Sequence, residues 1–211
     1  MAVFAVMMRV AFVVFWAAVL SAAVYFATES LFYLASDEVD LTEPRTAGVL
    51  LHAAAALPLL LIAPIQFNGR FRAARPRVHR ILGRVFLGAS ALGSISAVVL
   101  SLGYSNPGGR VPLFMFGVLW AVFAALSWIA AMRGDIAAHR AFAMRTFAIA
   151  FAFVWVRILR VFREPLLGFI HEDAMQDLTR EWLSFVLPLL IVELWLSWLP
   201  MARRLFNPAK G

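Results

Sequence analysis

The sequence predicts an all-α integral membrane protein with six transmembrane helices and an internal hairpin repeat. Three observations carry that expectation. Hydrophobic residues make up 63% of the chain and charged residues only 15%, a balance foreign to a water-soluble fold. Six stretches each approach the roughly 20 apolar residues that cross a bilayer. The dipeptide His-Arg occurs twice, as His79-Arg80 and His139-Arg140, each time after a short basic connection and at the head of an apolar run.

The first span runs from about Val10 to Ala27. Its apolar run exceeds a secretory h-region and its n-region holds only Arg9, so it reads as a retained helix. The second covers about Thr46 to Phe67 and the third about Ile81 to Leu102. The fourth covers about Val111 to Met132, the fifth about Ala141 to Val161, and the sixth about Trp182 to Met201. Pro58, Pro64 and Pro188 fall inside spans, where they free backbone carbonyls and favour kinks. The segment 163–181 is polar and amphipathic and reads either as a short helix on the outer surface or as a solvated loop. All 211 residues form one transmembrane domain in this reading.

Loop charge sets the orientation. Arg70, Arg72, Arg75, Arg77 and Arg80 follow the second span, Arg133 and Arg140 follow the fourth, and Arg203, Arg204 and Lys210 follow the sixth. Only Asp135 offsets them. The other connections hold Glu29, Asp37, Glu38, Asp40, Glu43, Glu164, Glu172, Asp173, Asp177 and Glu181. The positive-inside rule then places both termini in the cytoplasm of a bacterial inner membrane. The net charge of +7 is explained by this bias, and no basic-aromatic motif points to nucleic acid. The chain has no cysteine, which excludes disulfides, thiolate metal sites and cysteine nucleophiles. Histidine is left as the strong nitrogen ligand.

The second and third spans form one hairpin, the fourth and fifth another. Both turns close on His-Arg, and an arginine follows on each next helix, Arg84 and Arg145. Repeated hairpins often build a site at their interface. His79 and His139 stand at matched depth, and if the third and fifth spans are neighbours they can share one haem b iron. Arg80, Arg84, Arg140 and Arg145 would then meet its propionates. The competing reading is four arginines and two histidines that bind anionic lipid headgroups. His52 lies deeper, among alanines, as an alternative ligand or as a histidine bonded to a neighbouring carbonyl. Glu193 stands near the middle of the sixth span, where a carboxylate needs a proton or a cation. Arg157 is the candidate cation. Glu193 reads either as a tie between helices or as a proton relay. Ala89, Gly93 and Ala97 form a small-residue stripe that permits close helix approach. The seven tryptophans read mainly as belt and packing residues.

At these residues the chain resembles the bacterial family of predicted membrane proteins called domain of unknown function 2306. The resemblance runs from about His52 to Arg157, roughly half the chain. Its landmarks are His52, Pro64-Ile65-Gln66-Phe67, His79-Arg80-Ile81-Leu82-Gly83-Arg84, then Arg133-Gly134-Asp135, His139-Arg140, Arg145 and Arg157. The family pattern after the second His-Arg usually carries Trp-Met, where this chain has Phe142-Ala143. A methionine ligand or an indole at that place therefore does not carry over. The family implies no established activity; broadly, it looks similar to small multi-span cytochrome b-like membrane proteins.

Three functional classes follow. The first is a b-type haem redox protein using His79 and His139, with His52 as the alternative ligand, passing electrons between quinol and a partner. The second is an accessory or scaffold subunit beside other membrane subunits. The third is a proton-coupled transporter built on Glu193. Hydrolase chemistry finds no Ser-His-Asp spacing or metalloprotease motif. His171, Glu172 and Asp173 read as solvated surface charge rather than a cation site.

Overall fold

A computed structural model describes residues 2–34, 43–103 and 107–206. Asp37, Glu38, Asp40 and Lys210, which entered the charge argument, lie outside the described residues, as do the side chains of Arg9 and Glu29. Among the described residues the chain forms helices and the turns between them, with no strand. The order is α1 (Ala2–Leu34), α2 (Pro44–Phe67), α3 (Gly69–Ala74), α4 (Pro76–Leu102), α5 (Pro107–Met132), α6 (Ile136–Val161), α7 (Arg163–Leu167) and α8 (Asp173–Glu193). A π-helical turn, Leu194–Trp198, then passes directly into α9 (Leu199–Phe206).

Five stretches are long and apolar enough to cross a membrane: Arg45–Phe67, Pro76–Leu102, Gly108–Met132, Ile136–Val161 and Asp173–Phe206. The apolar part of α1 that accompanies them is Val10–Tyr25. Large apolar side chains such as Ile95, Val99, Phe114 and Ile191 point outward, the surface that lipid rather than water covers.

Both hairpins close by capping. Asn68 accepts hydrogen bonds from the Arg70 and Phe71 amides and starts α3, the short basic turn between α2 and α4. Pro76 opens α4, where its missing N–H costs nothing. The second turn is tighter. Gly134 takes φ 75°, a left-handed conformation that glycine adopts without Cβ strain. Asp135 then caps α6 by accepting from the Ala138 amide.

Helices α2, α4, α5 and α6 pack in a ring. Within each hairpin α2 packs on α4 and α5 on α6, while α4–α5 and α2–α6 contacts close it. The third and fifth predicted spans, α4 and α6, therefore face each other across the ring rather than standing as packed neighbours. The reason is topological: the connection from Leu102 to Pro107 is also short and packs α4 on α5, so each helix neighbours the next along the chain and α4 and α6 are left on the diagonal. α1 and α8 add outside this ring, α1 on α2 and α6, α8 on α6 and α5. Trp16 of α1 stacks on Phe67 with ring centroids 6.1 Å apart. On the other side Phe116 stacks on Phe185 of α8 at 4.7 Å.

The last span begins earlier than its apolar residues suggest, at Asp173 rather than near Trp182. Segment 163–181 accordingly divides into α7, a turn through Gly168 and the first turns of α8. Arg163 binds both Asp173 and Gln176, and Arg180 pairs with Asp177 at 2.8 Å. These pairs let a polar stretch continue as helix where hydropathy alone stops. Pro58, Pro64 and Pro188 lie within continuous helix.

Candidate functional site

The ring has an arginine-rich end, carrying the α2–α4 and α5–α6 turns, and an acidic end, carrying Glu43, Glu164 and Glu181. The two repeated histidines stand at the first end in equivalent helical positions. The His79 amide bonds the carbonyl of the N-cap residue Arg75 at 3.0 Å, and the His139 amide bonds that of the N-cap residue Asp135 at 2.9 Å. Each is the fourth residue after its cap. Each backbone carbonyl also receives a side-chain hydrogen bond from the preceding helix of its hairpin, His79 from Gln66 Nε2 at 3.2 Å and His139 from Ser127 Oγ at 3.3 Å. The repeat thus extends from sequence to hydrogen bonding.

The imidazoles are held differently. His139 Nδ1 lies 3.0 Å from the Ser127 carbonyl. A carbonyl only accepts, so Nδ1 carries the proton and Nε2 keeps its lone pair. That tautomer, oriented by a carbonyl, is the one a metal-ligating histidine presents. His79 Nδ1 is buried without a hydrogen-bond partner among the described residues. The two rings thus present nitrogen at the same end of the ring of helices, His139 through Nε2 and His79 through its unpartnered Nδ1. Arg80, Arg84 and Arg140 are exposed beside them, a disposition that meets anionic groups of a cofactor edge or of lipid.

Arg145 is not part of that set, because Glu193 holds it. Its Nε donates to Glu193 Oε1 at 2.5 Å and its Nη2 to Oε2 at 2.9 Å, a bidentate pair. Ser197 adds a third donor to Oε2 at 2.9 Å. The expected partner, Arg157, is corrected by depth: it lies twelve residues along α6 from Arg145, about 18 Å at 1.5 Å per residue. Glu193 sits at the junction of α8 with the π turn, which closes the Ser197 hydroxyl onto the same carboxylate. Its carboxylate is engaged as a tie between α6 and α8.

His52 and Arg157 belong to a different place. They share a cavity of about 870 Å³ in the half of the bundle towards the acidic end, bounded by α2, α4, α5, α6 and α8. Glu43, Arg45, Arg160 and Glu181 stand around it with Arg157, so the acidic end also carries cations. The Arg157 guanidinium lies 3.8 Å from the centroid of its own helix's Phe153 ring, and Nη1 donates to the Phe153 carbonyl at 3.0 Å.

His52 is fixed by the small-residue stripe of α4. Its Nδ1 is 3.0 Å from the Gly93 carbonyl and 3.0 Å from Ser96 Oγ, and Ser96 Oγ donates to the same carbonyl at 2.9 Å. Nδ1 is again the protonated nitrogen, and Nε2 is left over on a side chain that lines the cavity. Gly93 is essential here for a second reason. A Cβ at that position would lie 2.6 Å from Trp120 Cη2 and 2.9 Å from Cζ3. The outer edge of the indole therefore abuts the glycine, and its ring centroid lies 6.2 Å from that of His52 with the two rings nearly perpendicular. Trp120 is 3% exposed, and its Nε1 has no hydrogen-bond partner among the described residues.

Sequence reasoning found the three histidines and the stripe but missed Ser127 and Ser96, gave Gln66 only as a landmark of the resemblance, and read Trp120 only as one of the belt and packing tryptophans. The serines carried a signal: Ser127 stands within the apolar run from Val111 to Met132, where a hydroxyl needs a partner. Trp120 carried none that separates it from the other tryptophans.

A family described as "Predicted membrane protein (DUF2306)" matches residues 49–196. The match starts just before His52, covers both hairpins and reaches past Glu193. No curated protein and no solved structure matches the chain.

Proposed function

The chain belongs to the DUF2306 family of predicted membrane proteins, and from that premise we propose that it is a membrane redox protein holding one b-type haem between His79 and His139. The observation that supports this most directly is positional. The two histidines occupy the same place after the cap of their helices, at one end, on the helices that face across the ring. A haem bound between helices takes one nitrogen from each side, and its iron supplies one-electron chemistry.

The chain's own residues do the rest. Ser127 orients the His139 ring and holds Nε2 as the free nitrogen. Gln66 and Ser127 fix the two backbone carbonyls and so the position of each ring's helix turn. Arg80 and Arg140 place positive charge beside the histidines, suited to carboxylates. The positive-inside rule supports a cytoplasmic side for this arginine-rich end in a bacterial inner membrane. The engagement of Glu193 by Arg145 weighs against a proton relay through that carboxylate.

The test is a reduced-minus-oxidised absorbance spectrum of the purified chain, with haem quantified per protein. The expected result is one haem per chain, lost in His79→Ala and in His139→Ala and retained in His52→Ala. A haem-free protein from cells supplied with haem, or a spectrum unchanged by both substitutions, refutes the proposal.

A further inference from the structure

The cavity at the acidic end is lined by groups that differ with height. Arg45 in the first turn of α2 and Arg160 in the last turn of α6 are exposed at its rim, with Arg157 one turn deeper. Glu43 and Glu181 line it as well, so three guanidiniums face two carboxylates. Both carboxylates are attended by other groups: the Thr46 hydroxyl donates to Glu43 at 3.3 Å, and Arg180 stands 3.6 Å from Glu181. The rim is therefore net cationic. Beneath it Phe153 and Phe185 supply ring surface. His52 stands deeper, seven residues past Arg45 on α2, about 10 Å along the helix axis. Its Nδ1 is committed to the Gly93 carbonyl, so Nε2 is an acceptor. That nitrogen keeps accessible surface, unlike the sealed Trp120 Nε1.

We infer that this cavity binds a small organic acid with a hydroxyl at the end away from its carboxylate, an aromatic ring being the body that suits the walls between. The carboxylate sits among Arg45, Arg157 and Arg160, whose planar guanidiniums match it with paired N–H donors. The ring lies beside Phe153 and Phe185. The hydroxyl donates to His52 Nε2. Each part argues against another occupant. An organic cation meets net positive charge at the rim, and a neutral molecule gains nothing from it. A fatty acid, or one tail of a phospholipid, brings a methyl group to His52 and takes water from Nε2 without replacing the hydrogen bond. Ionisable side chains of span helices are costly and face cavities that admit polar ligands, and the volume of about 870 Å³ lies within the range of small-molecule sites. The site uses neither His79 nor His139, so it stands or falls apart from the haem reading.

The experiment titrates the full chain in dodecyl maltoside with 4-hydroxycinnamate by isothermal calorimetry, at neutral pH, where the carboxylate is ionised and the phenol keeps its proton. Saturable binding is expected. It should be about tenfold tighter than binding of cinnamate, which lacks the hydroxyl, or of 4-hydroxycinnamyl alcohol, which lacks the charge, the effect of one hydrogen bond. Arg160→Gln, at an exposed position, should weaken both acids by a similar factor. His52→Leu should lower the affinity for 4-hydroxycinnamate to that for cinnamate and leave cinnamate unchanged, a difference between two ligands that a merely misshapen cavity does not produce. Circular dichroism and a monodisperse elution profile establish that each variant is folded. Absent saturable binding, equal binding of cinnamate or of the alcohol by the wild type, or an equal loss of both acids in His52→Leu overturns the inference. So does full displacement by phosphatidylglycerol added to the micelles, which would make the rim a lipid headgroup site.

Discussion

Replacing Glu193 with leucine strands a guanidinium inside a membrane span. Arg145 stands nine residues into α6, about 13 Å along the helix axis, within a hydrocarbon layer of about 30 Å. The side chains of Arg145 and Glu193 are 18% and 30% exposed, and in a bilayer that exposure is to lipid tails, which do not screen. Removing one partner of such a pair costs about 3–5 kcal/mol in a protein interior. Translocon scales assign about 3 kcal/mol to an arginine at the centre of a span. About 3 kcal/mol is therefore expected for Glu193→Leu. Arg145→Leu should cost less, because a stranded carboxylate can take up a proton whereas a guanidinium cannot release one. The double substitution should cost less than the sum of the singles. Unfolding in mixed dodecyl maltoside and sodium dodecyl sulfate micelles, followed by circular dichroism, measures all three in one cycle. Additive losses would falsify the pair as an energetic tie, and a larger loss for Arg145→Leu than for Glu193→Leu would reverse the charge argument.

Gly93→Ala should destabilise by about 1–3 kcal/mol through overpacking against Trp120, with a shift in tryptophan fluorescence; an unchanged unfolding midpoint and spectrum would contradict the close approach. Gly134→Ala should cost about 1 kcal/mol because its φ of 75° strains a Cβ, a loss readable in the same detergent unfolding assay. Asp135→Ala should cost about 1 kcal/mol by removing the α6 cap, while Asp135→Asn, which keeps an acceptor oxygen, should restore most of it; equal losses in the two variants would reject the capping role.

The spans were legible because hydropathy measures the solvent each helix meets, and the apolar centres of α2, α4, α5 and α6 lie where that property places them. Their ends were not, because caps and ion pairs rather than apolar residues decide where a helix starts. His79 and His139 looked like residues at the doorstep of their helices and instead lie inside the first turn, behind Arg75 and Asp135. The equivalent places of His79 and His139 after their helix caps followed from hairpin logic, which needs only turn lengths. The partner of Glu193 did not follow, since it depends on which helices meet and at what height, and Arg145 and Glu193 are 48 residues apart. The cavity was the least legible feature. Alanines around His52 suggested space, but Trp120 reaches the same place from a helix whose sequence gives no sign of it.

The ion pair between α6 and α8 also has a meaning in time. A ribosome adding about 5–20 residues per second makes Arg145 some 2–10 s before Glu193, given the 48 residues between them. For that interval the cost of an arginine within a span falls on α6 alone. The carboxylate that offsets it arrives only when α8 is made. Settling of the fifth predicted span therefore waits on synthesis of the sixth, and a chain arrested before Glu193 would hold a helix with a standing reason to leave the bilayer.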